Sequence, residues 1–198
     1  MKSYRVRWIV AILAAVGAAS LLAMLIWRPG ELSFGSGAET KANFVLASSK
    51  GGAVDAKSLL GKPFTVHFGY THCAEVCPTM LYDVSSMLTH LGDSAKDIRV
   101  FFITVDPERD TVEAVRDFLA NFDPRIEGLV PTAGELQKLA SEFRVFYTKV
   151  PSASSEYSMD HTASMFLFDA KGRLFDTIAF GEPPEMAEAK IRKVLSGG

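Results

Sequence analysis

The sequence predicts an α/β domain, a three-layer sandwich with a mixed sheet, preceded by one N-terminal transmembrane helix. Three observations carry that prediction. Apolar, β-branched runs alternate with stretches whose apolar residues recur at helical spacing. Two late apolar runs flank a short glycine turn, as the strands of an antiparallel hairpin do. A charge-free apolar segment stands apart at the N-terminus.

That segment divides the chain into residues 1–7, 8–27, 28–42 and 43–198. From Trp8 to Trp27 no residue is charged, and at about 1.5 Å per residue the run spans about 30 Å, the thickness of a hydrocarbon core. A Trp at each end suits the two interfaces. Lys2, Arg5 and Arg7 place residues 1–7 in the cytoplasm by the positive-inside rule, so everything after Trp27 is expected outside, in the periplasm of a bacterial inner membrane. The rival is a signal peptide cleaved near Ala18-Ala19-Ser20. It is disfavoured because LLAMLIW follows, not a polar mature start. Residues 28–42, rich in Gly, Ser and charge, read as a tether.

In the domain, FVLA is a short strand. Gly61-Lys62-Pro63 opens FTVHFG (64–69), an apolar, β-branched run that reads as a buried strand. Tyr70 and Thr71 begin a turn carrying His72 and Cys73. Val76, Met80, Val84, Met87, Leu88 and Leu91 then follow at helical spacing until Gly92. IRVFFITV (98–105) is a second buried strand and Asp106-Pro107-Glu108-Arg109 a turn. Asp110 with Glu113 reads as an N-cap pair opening a helix to about Asn121. GLVP (128–131) is a brief strand, Thr132 with Glu135 a capping box, and 133–142 a helix. RVFYTKV (144–150) reads as a strand and PSASSEYSMD (151–160) as a polar loop. SMFLFD (164–169) and RLFDTIAF (173–180) form a hairpin about Ala170-Lys171-Gly172, and PPEMAEAKIRKVLSGG a last helix.

Composition bounds the function. With 48% hydrophobic residues and 14 Phe, the domain builds a core without help from disulfides or metal. A net charge of -2, with both signs interspersed, excludes a nucleic-acid footprint.

The chemistry concentrates at Cys73-Ala74-Glu75-Val76-Cys77. Two thiols at i and i+4 in a first helical turn share a face, where free N–H groups and the helix dipole favour thiolate, so two low-pKa sulfurs are expected side by side. This spacing permits a redox dithiol, a structural disulfide or a pair of metal ligands and does not choose among them. A staple across so short a loop stabilises little, and a peroxidase would want a separate resolving cysteine. Of the four histidines, His67 falls in a buried strand pattern and His90 at a helix end, both structural readings, while His72 adjoins Cys73 too closely for easy co-ligation. His161, in polar sequence just before a strand, can reach the cysteine helix. Two thiolates and one imidazole suit Cu(I) through sulfur and Cu(II) through nitrogen, whereas structural zinc wants a fourth strong ligand.

FGYTHCAEVCPTML (68–81), FFITVDPERDT (101–111) and MDHTASMFLFDAKG (159–172) closely resemble the Sco/SenC family of anchored, thioredoxin-like copper proteins that assemble the binuclear copper centre of cytochrome c oxidase. The resemblance implies that Cys73, Cys77 and His161 bind one copper, Cu(I) or Cu(II). It also implies that the partner is the copper-site subunit of the oxidase, beside other periplasmic copper chaperones or thiol reductants. A copper chaperone is the leading expectation, with a thiol-disulfide reductase acting through Cys73 and Cys77 as the alternative. Where the family usually has Pro and Asp between the cysteines, this chain has Ala74 and Glu75, and the match is poorest over residues 43–60. The Asp106–Thr111 segment is expected to flank the site or serve as turn and cap. Met159 reads as packing, Asp160 as an orienting or loop-shaping group, and Phe68, Tyr70, Phe166 and Phe168 as core or site wall.

Overall fold

The structure, a computed structural model, describes residues 42–152 and 156–197; the expected transmembrane segment 8–27 and all but the last residue of the tether lie outside them. Among the described residues no helix is long and apolar enough to cross a membrane. The chain opens with β1 (Val45–Ser48) and β2 (Ala53–Asp55), an antiparallel hairpin in the region where the family resemblance is poorest. Gly51 and Gly52 turn it with φ of 97° and 69°, a region that costs glycine nothing. A 3₁₀ turn, Ala56–Leu59, leads to β3 (Phe64–Gly69), α1 (Val76–Leu91), β4 (Arg99–Thr104) and α2 (Val112–Leu119). Then come β5 (Ile126–Val130), α3 (Ala133–Phe143), β6 (Tyr147–Val150) and β7 (Ser158–His161). The chain closes with β8 (Ser164–Phe168), β9 (Leu174–Ala179) and α4 (Pro184–Leu195).

Seven strands form one sheet in the order β2-β1-β5-β4-β3-β8-β9, while β6 and β7 form a separate two-stranded ribbon. The β3, β4 and β5 strands run parallel at the centre and β8 lies antiparallel to β3, which is the mixed sheet expected. Every residue of β3 is buried, as a strand covered on both faces requires. The α1 and α2 helices lie over one face: Cys77 approaches Gly69, Val115 approaches Gly128, and Phe118 meets Phe102 at 5.7 Å between ring centroids. The α3 helix covers the other face, where Phe143 packs against Phe68, Phe166 and Phe168 at 5.5–5.9 Å. Each such ring contributes about 1.5–3 kcal/mol by leaving water. The result is a thioredoxin-like three-layer sandwich with the β3–α1 junction exposed at the parallel strands' C-terminal ends, where ligands bind in α/β sheets.

Three local expectations change. Thr111, not Asp110, caps α2, its hydroxyl accepting from Ala114 N–H; Asp110 is drawn into the interior, and the helix ends at Leu119. Arg144 adopts left-handed φ and ψ of 54° and 40° to cap α3, so the strand written RVFYTKV starts only at Tyr147. The loop 151–160 is in part a strand, because Ser158–His161 pairs with Tyr147–Val150. His161 therefore stands at the end of a ribbon, opposite Tyr147, and not in a free loop.

Candidate metal centre

The turn after β3 is fastened from beneath. Asp110, fully buried, accepts hydrogen bonds from Thr71 N–H (2.9 Å), the Thr71 hydroxyl (2.6 Å) and the Thr104 hydroxyl (2.6 Å). This ties the cysteine turn to the ends of β4 and α2. The α1 helix starts only after Glu75, so Cys73 precedes it and Cys77 lies in its first turn, donating its backbone N–H to Cys73 Sγ at 3.3 Å. Gly69 makes room for this junction. A Cβ there would lie 2.8 Å from Cys77 Sγ and 2.6 Å from Phe102 Cε2, closer than packed atoms tolerate.

The two thiols diverge. A hydrogen bond from Cys77 lowers the Cys73 pKa to about 4; half-burial opposes this, while His161 and the N–H groups of Cys77 and Glu75 add to it. Cys77 is pushed up instead, because its proton is held in the bond to Cys73, its sulfur is buried, and the Cys73 charge stands beside it. The expected pair of low-pKa thiols is thus corrected to one thiolate and one thiol, since two adjacent sulfurs in a half-dry site resist carrying two charges. Both are free cysteines.

His161 completes the group. Its Nε2 lies 3.4 Å from Cys77 Sγ and its Nδ1 3.2 Å from the Thr162 carbonyl. The Nε2 atom is thus the ring nitrogen that faces the sulfurs, while Nδ1 is turned to the backbone. The donor atoms of Cys73, Cys77 and His161 all lie within 4.8 Å of one another, and no other His, Cys, Asp or Glu among the described residues joins them. Two sulfurs and one imidazole with no carboxylate form a soft, low-coordinate set that fits copper better than structural zinc.

The remaining candidates fall outside. His72 is half-exposed and turns to the Thr71 hydroxyl (3.0 Å). His90 pairs with Glu188 at 2.8 Å. His67 is fully buried, with Nδ1 3.2 Å from the Ser164 carbonyl, its ring centroid 6.3 Å from that of His161, and its pKa lowered to about 4 chiefly by burial. Tyr70 forms the site wall, its ring edge-on to His161 at 5.8 Å, whereas Phe68, Phe166 and Phe168 belong to the core on the opposite face. Met159 is buried packing and Asp160 is exposed. Of the Asp106–Thr111 segment, Asp106, Arg109 and Asp110 do flank the site. The close packing at Gly69, the bonds of Asp110 to Thr71 and Thr104 and the Arg109–Tyr157 contact escaped the sequence reading; Gly69, Arg109 and Asp110 sit in the quoted motifs, but nothing local signals these partners.

The SCO1/SenC family profile matches residues 34–196. The chain belongs to the SCO1/SenC family. It is 36% identical over 125 residues to the Arabidopsis thaliana mitochondrial protein SCO1 homolog 1, and 34% identical over 136 residues to the human mitochondrial protein SCO1 homolog. Those matches cover 63% and 67% of this chain but only 37% and 45% of the two relatives, so the chain spans less than half of either. Among solved structures, Bradyrhizobium japonicum ScoI with copper bound is 41% identical with a TM-score of 0.71, over 78% of this chain and 98% of that one.

Proposed function

We propose that this SCO1/SenC domain is a copper chaperone: it holds one copper ion through Cys73, Cys77 and His161 and passes it to the copper-site subunit that carries the binuclear centre of cytochrome c oxidase. The observation that carries the reading is the convergence of two sulfurs from the β3–α1 junction and one imidazole from β7 within 4.8 Å. Copper here is cargo. Three donors leave the ion open to attack by a recipient's ligand, so transfer proceeds by exchange. The motifs shared with the family supply the oxidase as recipient. The charge-free run 8–27 and the basic residues before it support an anchor in the bacterial inner membrane with the domain in the periplasm. The test is copper binding by the reduced protein. About one copper per chain is expected, and His161→Ala is expected to lose Cu(II) far more than Cu(I), because nitrogen matters most to the harder ion. Equal Cu(II) binding by variant and wild type would remove His161 from the ligand set.

A second reading is favoured by the split thiols. The Cys73 thiolate attacks a partner disulfide, forming a mixed disulfide and expelling one partner thiolate. Cys77, giving up its proton, then attacks Cys73 Sγ and releases the second, so two electrons pass to the partner and a Cys73–Cys77 disulfide remains. A reductase of this kind predicts that Cys77→Ser traps the mixed disulfide with a cysteine-bearing oxidase peptide. A chaperone alone accumulates none.

A further inference from the structure

The two cysteines and the histidine of the proposed site come from different pieces of structure, and the piece that brings the histidine is weakly founded. The β6–β7 ribbon shares no ladder with the seven-stranded sheet, and within β7 Met159 alone is buried in the core. Its own pairing fixes His161 opposite Tyr147, but says nothing about how the ribbon stands over Cys73 and Cys77. The turn after β4 does that. Asp106 is buried; it accepts the Tyr157 hydroxyl at 2.8 Å on Oδ1 and pairs with Arg109 Nε through Oδ2. Arg109 Nη1 donates to the Tyr157 carbonyl at 3.0 Å, and its guanidinium lies 3.6 Å from the centroid of the Tyr157 ring. A second cation from the ribbon, Lys149, lies 4.6 Å from that ring and pairs with Glu108 of the same turn. The guanidinium also lies 5.9 Å from the ring of Tyr70, which meets His161 edge-on at 5.8 Å. Stacking, a partly buried ion pair and two hydrogen bonds thus converge four residues before the histidine, where a planar, always-charged guanidinium does what an ammonium cannot.

We propose that Asp106, Arg109 and Tyr157 form a clamp that positions His161, so that the turn after β4, and not the metal, decides whether the site has three donors or two. With the clamp closed, the imidazole is held ready beside the sulfurs before copper arrives. With it broken, the ribbon swings free and the site becomes a two-cysteine site that keeps Cu(I) and drops Cu(II). These are positioning residues, acting on copper through His161, and the inference rests on the reading of His161 as a ligand.

The test compares Arg109→Ala, Arg109→Lys and Tyr157→Phe with His161→Ala in the full chain, by two readouts. The first, on metal-free protein, is amide hydrogen exchange of Ser158–His161 against that of β3 and β4. The second is Cu(II) and Cu(I) binding, with the nitrogen coupling in the Cu(II) paramagnetic resonance spectrum. Arg109→Ala is expected to speed ribbon exchange about tenfold or more, leave β3 and β4 unchanged, weaken Cu(II) about 10- to 100-fold and erase the nitrogen coupling while sparing Cu(I). Arg109→Lys keeps the charge but loses the stack and fork, and is expected to fail nearly as badly. Tyr157→Phe, which keeps the ring and loses only the hydroxyl, is expected to fall between wild type and Arg109→Ala. Should Arg109→Ala unfold the domain, shown by fast exchange in β3 and β4, Tyr157→Phe decides on the same readouts. Wild-type ribbon protection and wild-type Cu(II) binding in these variants, with His161→Ala losing Cu(II), overturns the clamp. Retention of Cu(II) by His161→Ala overturns the ligand reading instead, and ribbon exchange in Arg109→Ala then still decides whether the clamp holds the ribbon.

Discussion

Cys73 and Cys77 carry the same side chain four positions apart and finish with opposite acid–base behaviour, which makes stability depend on pH in a defined way. The Cys73 pKa falls from 9.0 to about 4 on folding, so its contribution is present above about pH 9 and is lost as pH falls toward 4. Cys77 is shifted the other way, and its contribution is lost as pH rises above 9. Together they place a stability maximum near pH 9, where the unfolded chain starts to release both protons and the folded pair still keeps one. His67 adds to the acid side. Its pKa drops from 6.5 to about 4 because burial disfavours the imidazolium, so the unfolded state binds a proton first and stability falls between those pH values. Urea midpoints measured from pH 4 to 10 are expected to show this rise and fall in the reduced protein. The Cys73→Ser, Cys77→Ser double variant is expected to lose the maximum. His67→Phe is expected to flatten only the stretch between 6.5 and 4, at a cost of about 1 kcal/mol from the Ser164 carbonyl left without its donor. A double variant with an unchanged profile would mean the thiols do not share one proton.

Among elements, two residues written alike in sequence, each near a helix start, part company. Thr132 caps α3 by accepting from Glu135 N–H at 3.3 Å, with Glu135 returning the bond, so Thr132→Ala is expected to cost about 1 kcal/mol and leave copper binding unchanged. Asp110 caps nothing; it holds Thr71, 39 residues earlier, and Thr104. Asp110→Ala is expected to cost about 1–3 kcal/mol through unsatisfied buried donors, and to weaken copper binding about tenfold or more because the cysteine turn loses its support. Urea denaturation and copper titration of both variants check the contrast, and equal copper affinity in the two would free the turn from Asp110. The difference marks what was legible beforehand. The β3, β4 and α1 elements were readable because their apolar residues repeat with one clear period, and Gly92 closes α1 with a φ of 52°. The β6 strand was readable within RVFYTKV, but β7 was not, since it lies in polar sequence and Met159 alone supplies a buried apolar signal there. His161 was named through the D-H-T match and not through any period, and the site's supports, Asp110, Arg109 and Tyr157, depend on contacts that close only after folding.

For the molecule as a whole, the core takes its largest side chains from aromatic rings, and Cys77 is the one proposed ligand packed inside it. The largest buried rings, Phe64, Phe68, Phe101, Phe102 and Phe168, lie in the central strands; Phe102 lies on the side of Cys77, and the cluster of Phe68, Phe143, Phe166 and Phe168 fills the other face. Asp110 braces the cysteine turn through Thr71, while Gly69 lets the buried Cys77 sulfur pack against the sheet with no metal between them. Metal binding should then add to a fold that already exists, unlike a zinc finger, whose ligands supply its core. The metal-free, reduced protein is expected to unfold in urea in one cooperative transition. Buffered Cu(I) at a hundred times its Kd is expected to raise the unfolding free energy by about 2.7 kcal/mol, which is mass action on a native state that alone binds the ion. Cys73→Ser removes the thiolate, half-exposed at the rim of the junction; at about pH 4, where the thiolate's own contribution has been lost, it is expected to fold within about 1 kcal/mol of the metal-free wild type, and at neutral pH to gain nothing from copper. A metal-free chain with no cooperative transition would instead make copper part of the fold, and the domain a structural copper protein that cannot release its ion without unfolding.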